Sequence, residues 1–249
     1  MKQFLLLGML FAVHTSFASI VLTSPVFVTG TGLGTVPTLL TISSQGSSSV
    51  EAGCVGNTSA QIGNTVSLLG VCSGSTADVM TGASQIGPQT LAAAGVTTAD
   101  TFGIVFNASE PAGNSINLTG LTATFYDSTG AFLYQTSGFS CPGLSGCTFP
   151  NTNTGVGKSG FLFSLDATQQ AEATTAGAFA NTGNLVGLFA SASDATGGLE
   201  TFFLAAIPPA GGGGGGGGGG AVPEPGTMLL TVAGIGLSAI GAYGRKWTK

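Results

Sequence analysis

The chain predicts an all-β ectodomain, a β-sandwich with jelly-roll or Greek-key connections and one short helix, ending in a single C-terminal transmembrane helix. Three observations carry that expectation. Apolar residues recur with period two in short segments from Phe102 to Ile207, the pattern of half-buried strands. Clusters of Gly, Ser, Asn and Asp separate those segments, as turns require. A charge-free apolar run, Thr227–Tyr243, stands alone near the end of the chain. About ten strands and one helix suit two packed sheets better than any helical layer.

Residues 1–18 read as a secretory signal peptide. Lys2 precedes an apolar stretch from Phe4 to Val13, and Ser16-Phe17-Ala18 supplies the small-residue site for cleavage between Ala18 and Ser19. The ectodomain then runs over residues 19–207. Its first part, to about Gly95, is weaker in pattern and rich in Gly and Ser. Two readings stand for it, a decorated edge of the sandwich or a loosely ordered lobe.

From Phe102 the pattern sharpens. Phe102, Ile104 and Phe106 alternate, as do Phe161, Phe163 and Leu165, and Val186, Leu188 and Ala190, which puts one face in the core and the other in solvent. Ile116 and Leu118 alternate, slip phase at Gly120, and resume with Leu121, Ala123 and Phe125, which suggests a bulge in a long strand. Asp127-Ser128-Thr129-Gly130 reads as a hairpin turn returning along Ala131–Tyr134. Asp166 followed by Gln169 fits the start of the one ectodomain helix, a short crossover, and Glu200–Ile207 is a final strand. The aromatics, mostly Phe with Tyr126 and Tyr134, suit a core.

Residues 208–221 form a linker, with Pro208-Pro209 followed by ten consecutive glycines, Gly211–Gly220. Ten such residues behave as a flexible coil spanning roughly 17–19 Å. Residues 222–249 then combine Pro223-Glu224-Pro225, the run 227–243 and a basic end at Arg245 and Lys246. Seventeen uncharged residues reach about 26 Å as a helix, close to the hydrocarbon core of a bilayer. Gly234, Gly236 and Gly241 make that span marginal, and the basic end places Lys249 in the cytoplasm.

Pro223-Glu224-Pro225, the short apolar helix and the basic end with Arg245 and Lys246 together resemble the PEP-CTERM sorting signal of Gram-negative bacteria. The same signature also carries a domain label referring to ice-binding proteins. The resemblance implies that an exosortase, a membrane protease-transpeptidase, recognises the tripeptide and removes the tail. The order of segments from Phe102 to Ile207 also resembles ectodomains found in front of such tails. It does so through the Leu121–Gly130 hairpin, the stretch Gly160–Asp166 and the stretch Gly197–Phe203. That likeness implies a cohesin-like sandwich with no known reaction.

Charge narrows the function classes. In the exported part Lys158 is the one base, set against ten acids from Glu51 to Glu224, a net charge of −9, or −8 if Glu224 leaves with the tail. Such a surface cannot neutralise a phosphate backbone, so nucleic acid is excluded as a partner. An anionic polysaccharide would be held only by hydrogen bonds or a bridging metal. Gly155-Val156-Gly157-Lys158-Ser159 looks like a phosphate-binding loop, but Thr152 stands where its first Gly belongs, and a strand follows where a helix is needed. No nucleotide and no other cofactor is expected.

The four cysteines permit three pairings. Pairing of neighbours, Cys54 with Cys72 and Cys141 with Cys147, is favoured because each pair brackets a Gly-rich loop and an exported chain meets oxidising conditions. The only histidine is His14, inside the signal, so a zinc site is not expected and a serine nucleophile lacks its base. Lys158 is adjacent to Ser159, and neighbours on a strand point to opposite faces. Asp127, Asp166, Asp194 and Glu200 are candidates for calcium, but no D-x-D-x-D-G string assigns a site, so no metal ligand is named.

The expectation is therefore a non-enzymatic cell-surface or extracellular-matrix protein. It passes through the inner membrane as a precursor and, by the resemblance, takes part in exopolysaccharide or biofilm assembly. A glycan- or ice-surface-binding module is the alternative, although Thr122-x-Thr124 is a single pair and not a ladder. A glycosidase, which needs two carboxylates about 5–10 Å apart in a cleft, is more remote.

Overall fold

The computed structural model describes residues 19–27, 38–44, 49–81, 87–110, 113–150, 159–196 and 198–207. The expected signal peptide, the Pro/Gly linker, the expected sorting tail with its expected transmembrane run, and Lys158 lie outside the described residues.

In chain order the strands are β1 (Ile20–Phe27), β2 (Leu40–Ile42), β3 (Val50–Val55), β4 (Ile62–Gly63), β5 (Thr65–Val66), β6 (Cys72–Ser73), β7 (Gln89–Thr90), β8 (Phe102–Ala108), β9 (Ser115–Tyr126) and β10 (Phe132–Gln135). Then follow β11 (Phe139–Ser140), β12 (Thr148–Pro150), β13 (Ser159–Leu165), the helix α1 (Ala167–Thr175), β14 (Leu185–Ser193) and β15 (Glu200–Ala206). They form two large sheets and a small hairpin. One sheet has the order β11-β1-β13-β8-β15-β2; the other runs β10-β9-β14-β3-β4, with β12 beside β9 and β7 beside β14; β5 and β6 pair separately. The architecture is all-β, as expected.

Phenylalanine joins the two sheets. Phe102, Phe106, Phe125, Phe149, Phe163 and Phe202 are fully buried. Phe106 of β8 stacks on its neighbour Phe202 at 4.9 Å and meets Phe149 of the opposite sheet at 5.5 Å. Phe102 reaches Phe125 across the same gap at 5.1 Å. Each such ring contributes about 1.5–3 kcal/mol through the area it hides from water. The alternation of Phe102, Ile104 and Phe106 therefore marks the side facing the second sheet.

The other face departs from expectation. Val105, Phe203 and Ala205 are buried as well and pack with Leu162 in a separate apolar cluster. All seven residues of β8 are buried, so its second face is not in solvent. The intervening positions include Val105, Phe203 and Leu162, and the buried polar pair beside them is satisfied, Asn107 Nδ2 donating to Thr201 Oγ1 at 3.1 Å.

The phase slip at Gly120 is a bulge. Ser191 pairs with Gly120 but Ala192 pairs with Leu118, which leaves Thr119 as the extra residue. The hairpin turn is also present: the Asp127 carboxylate accepts from the backbone of Thr129 and Ala131, and Gly130 takes φ +90°, where a side chain would strain. Asp166 caps α1 by accepting from Gln169 N at 2.8 Å. That helix carries the chain from β13 in one sheet to β14 in the other.

Apart from β5 and β6, the described strands of residues 19–95 enter both large sheets, some at their edges and some inside. β1 sits between β11 and β13, inside the first sheet, and β3 pairs with β14 inside the second. Pro25 within the segment obscures the strand in the sequence, and the β1 pairing shifts register between Leu22 and Ser24.

Candidate functional site

Cys54 and Cys72 are bonded, tying β3 to β6, and Cys141 and Cys147 close a loop after β11. Their Cα atoms are 5.8 Å and 5.3 Å apart. The expected pairing is thus present, and no free cysteine remains. Ser19 immediately precedes β1, and its backbone N donates to Asp166 Oδ2 at 2.5 Å. Ala18, Pro223, Glu224, Pro225, Arg245 and Lys246 lie outside the described residues. Among the described residues no helix is long and apolar enough to cross a membrane.

The Ser159–Leu165 segment is a strand, so no helix follows where a phosphate loop would require one. The four calcium candidates are not brought together. Asp127 serves its own turn and Asp166 its helix, Asp194 is exposed with φ +62°, and Glu200 is buried.

One open groove, of about 500 Å³, lies between the β5–β6 hairpin and β10. Ser67, Leu68, Thr122, Phe132 and Gln135 are among the residues lining it. Leu68, Leu69 and Val71 on the hairpin and Phe132 across from it are exposed large apolar residues, which gives the groove an apolar lip. Gln135 Nε2 donates to Ser67 O at 3.0 Å and to Thr124 Oγ1 at 3.2 Å, locking hairpin to strand. Tyr134 OH donates to Glu172 at 2.9 Å; burial and this bond push the phenol well above its usual range, so it remains a neutral donor. Thr124 lies beneath this arrangement and is buried, so Thr122 and Thr124 do not present a solvent-facing pair.

A second feature was not legible as a site. Glu51, Glu110 and Glu200 are buried, at 1%, 1% and 0% exposure. Glu200 continues the row of Phe202 and Leu204 on β15, Glu110 continues that of Phe106 and Ala108 beyond β8, and Glu51 continues that of Gly53 and Val55 on β3. All three therefore stand in core-facing register at one end of the two sheets. Glu51 and Glu200 are near neighbours that act on each other's charge, and Glu110 and Asp78 lie near enough to repel Glu51.

Glu51 Oε2 accepts from Ser44 N at 2.7 Å, and Glu110 accepts from the backbone N and hydroxyl of Thr196. Glu51 Oε1 and both Glu200 oxygens have no donor. Burial, and then Glu51, push the Glu200 carboxyl up to about 9, and burial likewise raises Glu51. Burial thus disfavours the ionised form of both carboxyls. A glycosidic bond needs two carboxyls held apart around a sugar, whereas these two are near neighbours and are enclosed. Periodicity holds the missed signal: a Glu in phase with a row of Phe and Leu is a Glu in the core.

No Lys, Arg or His occurs among the described residues, against nine acids. No group of three or more Asp, Glu, Cys or His side chains among them stands ready to hold a metal ion. Comparison of this chain with protein-family models, with curated proteins and with solved structures finds no match.

Proposed function

We propose that this is an exported, non-enzymatic cell-surface or extracellular-matrix protein, sorted through its C-terminal tail by an exosortase-type membrane protease. The single observation that carries the reading is the order of three features at the chain end: Pro223-Glu224-Pro225, the run 227–243, and Arg245-Lys246. Two disulfides fit a chain that matures in an oxidising compartment. The tail holds the precursor in the inner membrane, the glycine run exposes Glu224 to the protease, and cleavage frees the domain. On this reading the two sheets form a cohesin-like jelly-roll sandwich that works in exopolysaccharide or biofilm assembly.

Replacing Pro223, Glu224 and Pro225 together by alanine should leave full-length protein in the membrane fraction of the native host. Release as efficient as wild type would show that the tail is only an anchor.

A glycan-binding module is the second reading, and the groove between hairpin and β10 favours it. Its apolar lip and amide- and hydroxyl-lined walls suit an uncharged sugar face, and among the described residues no cation meets an anionic one. Burial of Thr124 weighs against an ice plane. Pull-down on the host's own purified exopolysaccharide tests it: Leu68→Ser with Phe132→Ser should abolish retention if the groove is the contact.

A further inference from the structure

The glutamate cluster poses an unbalanced charge problem. Two buried carboxylates, Glu51 of β3 and Glu200 of β15, are neighbours across the two sheets at one end of the core; buried Glu110, beyond β8, and Asp78, which accepts from Ala52 N at 3.3 Å, add their charge nearby. An ionised carboxylate cut off from water costs many kcal/mol unless a cation or a full set of donors meets it. Glu200 is fully buried, and both of its oxygens point into the cluster without a donor; Glu51 Oε1 is in the same position. No side-chain cation among the described residues can answer them. In a chain this poor in charge, four of the nine described acids share this one place.

We propose that Glu51 and Glu200 are the anionic ligands of a hard divalent cation, Ca²⁺ by preference, that bridges the two sheets at this end of the fold. Calcium takes six to eight oxygens and accepts backbone carbonyls and waters beside carboxylates, so two glutamates suffice as its charged ligands. Soft metals are excluded by the donor set, which is oxygen only. Glu110 stays on Thr196 and adds negative field. Both glutamates sit on strand backbones already fixed by pairing, Glu51 opposite Ala192 and Glu200 opposite Ile42, so the ion ties β3 to β15 across the core. With two charged ligands, affinity belongs to the extracellular class, a Kd on the order of 10⁻⁴–10⁻³ M.

The test uses the full chain in mild detergent, stripped with chelator and titrated with CaCl₂ at pH 8 by calorimetry and thermal unfolding. One saturable event and a rise in Tm are expected, with at least a tenfold loss of affinity in Glu51→Gln and in Glu200→Gln. Loss of the calcium response in both, with wild-type-like circular dichroism, supports the site. A wild-type protein that shows neither heat nor a Tm shift up to about 10 mM Ca²⁺, ten times the weakest extracellular class, overturns it. So does a response that survives both substitutions. The wild-type titration is decisive by itself should a variant fail to fold.

Discussion

At the residue scale, Glu200 carries the clearest pH signature in the chain. Its folded carboxyl is raised to about 9 from an ordinary 4.5, first by burial and then by Glu51. A raised acid means that the folded state holds the proton more tightly. Its contribution is complete below about pH 4.5 and is lost progressively as pH climbs toward 9. In chelator, the wild-type Tm should therefore fall between pH 5 and 9 by on the order of 10 °C. Glu200→Gln, neutral at every pH, should fall much less; parallel profiles would remove the pair from the account. Ser19 offers a second test. Cleavage after Ala18 would turn its nitrogen into an ammonium beside Asp166. Asp166→Asn keeps an N-cap, so it should cost the mature protein about 1 kcal/mol more than the uncleaved precursor. Equal costs in urea melts would mean that no charge is formed there.

Elements differ in how plainly the sequence announces them. The Phe102–Phe106 alternation, the Gly120 slip, the Asp127–Gly130 turn and the Asp166 cap are local signals, and each element stands where its signal lies. β1 was obscured because Pro25 stands within it, and only long-range pairing with β13 makes it a strand. Strands buried on both faces, such as β8, look half-buried when only one alternating row is counted. Phe106→Ala should cost about 3–5 kcal/mol, because the cavity opens between Phe149, Phe161 and Phe202. Phe132→Ala, on the exposed lip, should stay within about 0.5 kcal/mol in the same denaturant series. Both cysteine pairs were legible because their partners are near in sequence, 18 and 6 residues apart. Loop-closure entropy makes the longer bridge worth about 3 kcal/mol and the shorter about 2. Replacing Cys54 and Cys72 by serine should then lower stability more than replacing Cys141 and Cys147.

For the whole molecule, targeting features and folded domain speak to different questions. The proposed tail and signal are linear patterns, read from composition and order alone. The glutamate cluster is not, because Glu51, Glu110 and Glu200 are separated by 59 and 90 positions and meet only when two sheets close. A phase argument can place each glutamate in a core row; it cannot say that the three rows share an end. The central claim remains the sorting tail, and intact-mass spectrometry of the protein from the native host's medium tests it most directly. The account predicts one species beginning at Ser19 and ending within or just before Pro223-Glu224-Pro225, with four fewer hydrogens than its reduced mass. A species that retains Lys249, recovered from the medium of a host with a working exosortase, would contradict it.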